Sequence, residues 1–68
     1  MSVTYIEKST LGMGWSLEVI DGLVVVGHIR RRPDTKAFRY FRGQDNELNP
    51  TYENKELEKL KIQVENNP

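Results

Sequence analysis

The chain predicts an α+β domain: a three- or four-stranded antiparallel β-meander with one C-terminal α-helix packed on one face. Three observations lead there. Trp15 to Arg42 holds three runs rich in strand-favouring residues, separated by turn chemistry. The pair Asp21-Gly22 sits between two of those runs. Asp-Gly between apolar segments signals a two-residue hairpin, because a type I′ turn needs positive φ at both central positions. After Asn54 the apolar residues recur at helical rather than strand spacing.

Taken in order, 2–9 alternates loosely, with Val3 and Tyr5 on one side and Thr4 and Ile6 on the other. It reads as a short edge strand, the fourth of the sheet if it pairs. Leu11-Gly12-Met13-Gly14 breaks the pattern and reads as a loop. Its Gly-x-Gly is not a phosphate loop, because the third glycine is missing and a strand rather than a helix follows. The meander spans 15–42. Pairing across Asp21-Gly22 sets Ile20 against Leu23, Val19 against Val24 and Leu17 against Val26. Trp15, Leu17, Val19, Val24, Val26 and His28 then share one face. Ser16, Glu18, Ile20, Leu23, Val25 and Ile29 take the other, which is also partly apolar. Pro33-Asp34-Thr35 makes the second turn, and Lys36 to Arg42 the third strand, with Phe38 and Tyr40 on a common face.

The stretch 43–52 is polar, contains Asn49-Pro50 and reads as a connection anchored by Leu48 and Tyr52. The helix is expected over 54–65, with Asn54 as N-cap and Glu56 and Glu58 near the positive end of its dipole. Leu57, Leu60 and Val64 form its apolar stripe; Ile62 lies off it. Glu56 and Lys59 are spaced for an ion pair. The expected core is Leu17, Val19, Val24, Val26, Phe38, Leu57, Leu60 and Val64, bordered by Trp15 and Tyr40.

Sixty-eight residues make a single domain over 1–68. A chain this short buries a core that only just offsets its conformational entropy, so self-association is an expected source of further stability. There is no cysteine, hence no disulfide and no thiolate metal site. That suits a cytoplasmic protein. No run approaches the length of a membrane span, and the N-terminus lacks the basic and apolar regions of a signal peptide. The initial Met1 suggests a complete small product.

Net charge is zero, but its distribution is uneven. Residues 27–43 carry Arg30, Arg31, Arg32, Lys36, Arg39 and Arg42 against Asp34 alone, while both flanking segments are acidic. The hairpin brings these cations to one end of the sheet, interleaved with Tyr40 and Phe41. Arginines beside aromatics on a sheet grip phosphates and stack bases. The six basic residues are therefore the candidate nucleic-acid contacts. The bland alternatives are an edge that discourages aggregation and arginines paired with the carboxylates of the helix. The second candidate surface is the apolar part of the other face, Ile20, Leu23, Val25 and Ile29, which suits a protein partner or a second copy of the chain.

His28 is the only histidine. A metal site or a general base needs companions that the chain lacks. Trp15 opens a strand and reads as a core anchor. No arrangement of carboxylates suggests acid–base work. The expectation is a small non-enzymatic binding module with no cofactor, no metal, no small-molecule substrate and no membrane. It binds nucleic acid through the 30–42 hairpin or, alternatively, acts as a protein-interaction module. In order of elements, three antiparallel strands followed by a helix, the chain resembles the plant AP2-type DNA-binding domain and the arm-binding domain of phage-type integrases. That resemblance implies a sheet that reads DNA; it carries over no individual residue.

Overall fold

Each strand folds back on the one before it. The computed structural model describes residues 3–10, 14–43 and 48–68, with the backbone alone for Ser9 and Thr10. The elements are β1 (Val3–Thr10), β2 (Gly14–Asp21), β3 (Val24–Arg31), β4 (Phe38–Arg42), β5 (Tyr52–Asn54) and α1 (Leu57–Asn66). The strands lie side by side in chain order in one sheet, and every pairing is antiparallel. The α+β class and the C-terminal helix on one face are as expected, but the sheet has five strands rather than three or four. It thereby departs from the three-strand layout of the AP2-type and integrase domains. Of the loop expected at 11–14, Gly14 instead opens β2; its residues 11–13, the first residue of the 2–9 strand and 44–47 of the connection lie outside the described residues.

Two strands account for the difference. β1 pairs with β2 along its whole length, from Val3 opposite Asp21 to Thr10 opposite Gly14. β5 lies at the end of the stretch read as a connection. Its three residues show no strand period, and the open edge of β4 supplies the pairing, Tyr52 opposite Tyr40 and Asn54 opposite Phe38. Leu48, expected as an anchor, is 88% exposed; Tyr52 does anchor, its ring stacked on Tyr40 at 6.0 Å.

The β2–β3 hairpin corrects the expected faces. Asp21 pairs with Val24, so the two loop residues are Gly22 and Leu23. φ is +66° at Gly22 and not positive at Leu23, the sign pattern of a type II′ turn rather than type I′. That relocation moves partners by two and leaves the faces unchanged. The faces change because of a bulge: Ile20 pairs with Val25 but Val19 pairs with Gly27, leaving Val26 as the extra residue on β3. One extra residue inverts the alternation beyond it. Ile29, opposite Leu17, therefore turns to the helix side, and His28 turns away. Ile29 is fully buried and cannot belong to an open protein-binding face.

The core is a row of cross-strand neighbours, Leu17, Ile29 and Tyr40, with Val19 beside it and Leu60 and Val64 descending from α1. Complete burial of Val19, Ile29, Leu60 and Val64 is worth about 1.5–3 kcal/mol each, so this row joins sheet to helix. Tyr40 stands at its centre rather than its border. Val24, expected inside, is 58% exposed beside the turn. Val26, Phe38 and Leu57 are half-buried against the cluster. Phe41 is buried on the opposite face, stacked on His28 at 5.5 Å.

α1 begins three residues later than expected. Asn54 is the last residue of β5, and its Oδ1 accepts the Glu56 N–H at 2.9 Å, so it shapes the turn before the helix. Glu56 takes the cap position without a side-chain bond. The stripe of Leu57, Leu60 and Val64 faces the sheet, Ile62 is exposed, and Lys59 pairs with Glu56 at 2.8 Å.

Candidate functional site

The basic cluster does not act as one surface. Alternation and local carboxylates divide it. Arg32 is gripped by Asp34 two residues on: Nε donates to Oδ1 at 2.9 Å and an Nη to Oδ2 at 2.6 Å. A fork of this kind is the strongest geometry available to an arginine. It holds the Asp34 carboxyl below its ordinary range, assisted by the Thr35 N–H. Arg39 is held across the β4–β5 pair, Nε to Glu53 Oε1 at 2.7 Å. Arg42 works at the far end of the sheet, donating to the Asn67 carbonyl at 2.9 Å and to the Tyr52 hydroxyl at 3.4 Å. The neutralising groups are thus the turn's own aspartate and a β5 glutamate, not the glutamates of the helix.

At the other end of the sheet four cations border a cleft of about 530 Å³. It is lined by Gly14, Trp15, Arg30, Arg31, Arg32, Pro33 and Lys36. β2 brings Trp15 there because its strand starts where β3 ends, Ser16 standing opposite Arg30. The β3–β4 loop closes the other side. Its frame is the Arg32 N–H on the Ala37 carbonyl at 2.8 Å and the Lys36 N–H on the Arg32 carbonyl at 2.9 Å. Lys36 closes this loop in the left-handed region, φ +62°.

Trp15 has two roles. On one side it packs against the core and meets the Phe38 ring edge-on at 5.6 Å. Its Nε1 donates to Glu7 on β1 at 3.3 Å, which fixes the indole plane. On the other side it forms part of the cleft wall. Arg31 lies over the Phe38 ring, 5.6 Å from its centroid, so the guanidinium is placed by an aromatic and not by an acid. Among the described residues no carboxylate lies within ion-pair range of Arg31 or Lys36. The residues alone favour a core anchor over a ligand platform for Trp15; it is the β2–β3 pairing, Ser16 opposite Arg30, that brings it to the arginines.

The four residues of the second candidate surface do not share one face. Ile20 and Val25 are cross-strand partners on the face away from α1, and Ile6 of β1 is on that face at 45% exposure. Leu23 stands fully exposed at the hairpin tip. Ile29 leaves this set. Among the described residues no group of three or more His, Asp or Glu side chains could hold a metal ion, and no helix is long and apolar enough to cross a membrane. Compared with known proteins, the chain matches no family model, no curated protein and no solved structure.

Proposed function

We propose that this protein is a non-enzymatic nucleic-acid-binding module of the cytoplasm whose contact surface is the basic cleft between the start of β2 and the β3–β4 loop. The observation that carries the reading is the convergence of Arg30, Arg31, Arg32 and Lys36 on one concavity walled by Trp15. Phosphate oxygens suit the cations, and an indole offers any base a stacking surface. Of the six basic residues singled out, Arg31 and Lys36 are the principal phosphate contacts, with Arg30 beside them. Arg32 shapes the loop. Arg39 and Arg42 hold the fold together.

The test is a fluorescence-anisotropy titration against nucleic acid at two salt concentrations. Each phosphate contact contributes a slope of about −0.7 on a single strand, so two contacts lower affinity about 7-fold between about 50 and 200 mM salt. All six cations acting together would lower it about 300-fold. A loss near the smaller figure supports the cleft; absence of binding at low salt removes the reading.

A second reading rests on Leu23, which is fully exposed at the hairpin tip beside the half-exposed Val24. With Ile20, Val25 and Ile6 it gives a second copy of the chain an apolar strip to cover. A chain that sediments as a monomer at high concentration, with or without Val25→Lys, rejects self-association.

A further inference from the structure

We infer that the cleft takes a single strand rather than a duplex, with one base against Trp15 and the adjoining phosphate between Arg31 and Lys36. This rests on the cleft being a nucleic-acid surface and says which nucleic acid it fits.

A sheet that reads a duplex presents a row of cations and polar groups along a strand or ribbon that enters the groove. The residues placed to form such a row here are otherwise engaged. Arg39 is tied to Glu53, Arg42 to the end of α1 and Arg32 to Asp34. What is left is concave and local. A cavity of about 530 Å³ has the size of a small-ligand site. It admits an unstacked nucleotide but not the body of a double helix. Its one aromatic wall, Trp15, is held in plane by Glu7 and Phe38, a preformed stacking surface.

The backbone at Lys36 points the same way. Position 36 is left-handed, φ +62°, where glycine is free of strain and any Cβ is not. The Lys36 side chain is exposed and makes no hydrogen bond or ion pair among the described residues. The fold therefore gains nothing evident from a lysine there, and a strained residue without a structural reward, at the lip of a cleft, marks a contact made by its side chain.

The experiment uses the full chain and its single tryptophan as the reporter. Probes are octamers of deoxythymidine and of uridine, a mononucleotide, and a duplex with the same number of phosphates. Both Lys36→Gly and Lys36→Gln are measured beside the parent. The expected result is quenching of Trp15 emission by a single strand, with duplex affinity about tenfold lower or worse. Preference between the two octamers tells DNA from RNA, and either preference supports a single-strand site. Lys36→Gly is expected to raise the melting midpoint by about 4–8 °C while weakening strand binding about threefold. Lys36→Gln weakens binding similarly without that gain. Duplex binding as tight as the single strand, or strand binding that leaves Trp15 emission unchanged, overturns the inference while leaving the nucleic-acid reading intact. A mononucleotide that binds as tightly as the octamers overturns it in favour of a free-nucleotide site. Failure of every probe at low salt overturns both.

Discussion

The ring of Tyr40 lies against the bare backbone of Gly27. A Cβ at position 27 would sit 2.8 Å from the ring Cε1 and from the hydroxyl oxygen, and would also meet the Phe41 carbonyl oxygen. The same hydroxyl reaches the Val26 carbonyl at 3.3 Å. The bulge at Val26 brings Gly27 to the helix side, and the missing side chain makes room for the largest buried residue of the core. Gly27→Ala is therefore expected to destabilise the fold by about 3 kcal/mol, read from urea denaturation. An unchanged midpoint would mean that Tyr40 turns aside freely, which its packing under α1 opposes.

Arg42 caps a helix to which it does not belong. The last turn of α1 contains no basic residue, and Arg42 of β4 supplies one by donating to the Asn67 carbonyl, where the Tyr52 hydroxyl also donates at 3.0 Å. A cation there favours the negative end of the helix dipole. Arg42→Ala should cost about 1 kcal/mol and speed amide exchange in 63–67 before it does so in the strands. Uniform acceleration through the sheet would refute a role confined to the helix end.

Tyr5 ties β1 to α1 through a 2.8 Å bond to Glu65. Burial first, then that carboxylate, raises its hydroxyl pKa well above the ordinary phenol range; burial raises Tyr40 as well. A group whose folded value is raised contributes stability that is complete below the unfolded value, about 10, and is lost as pH climbs toward the folded one. The melting midpoint should hold between about pH 8 and 9 and fall above about 10. Tyr5→Phe should flatten that fall. An unaltered alkaline decline in the variant would assign the effect to Tyr40.

Arg39 and Arg31 make opposite predictions for binding although both lie in the basic run. Arg39→Ala breaks a partly exposed pair with Glu53, so stability drops by about 0.5 kcal/mol and nucleic-acid affinity barely changes. Arg31→Ala gives up its contact with the Phe38 ring, a similarly small loss of about 0.5 kcal/mol, but should weaken binding and reduce the salt slope by about 0.7. The reverse pattern would move the contact surface from the cleft to the β4 strand.

Much of this architecture is legible in the residues. Asp21-Gly22 announces a hairpin, Pro33-Asp34 announces the next, and Leu57, Leu60 and Val64 announce the helix and the stripe it buries. The turn is misplaced by one residue because Gly22 alone satisfies a type II′ loop. β5 is invisible because three residues carry no period. The candidate site is half legible: composition reveals the basic run, but the pairing of Arg32 and Arg39 with nearby acids depends on loop geometry and on a strand that composition does not show.

The class of fold, the order of most elements and the concentration of cations near one end can all be read from the residues alone. These follow from local chemistry: side-chain period, turn residues and charge along the chain. Which face each residue occupies, and which acid holds Arg32 and Arg39, emerges only once the chain is folded. A period of two specifies alternation but not its phase, and one extra residue at Val26 inverted that phase for the rest of β3. The fates of the arginines were settled by contacts between strands, such as Arg39 with Glu53, and from strand to helix end, as with Arg42 and Asn67. Those neighbours are distant in the chain, and only folding brings them together.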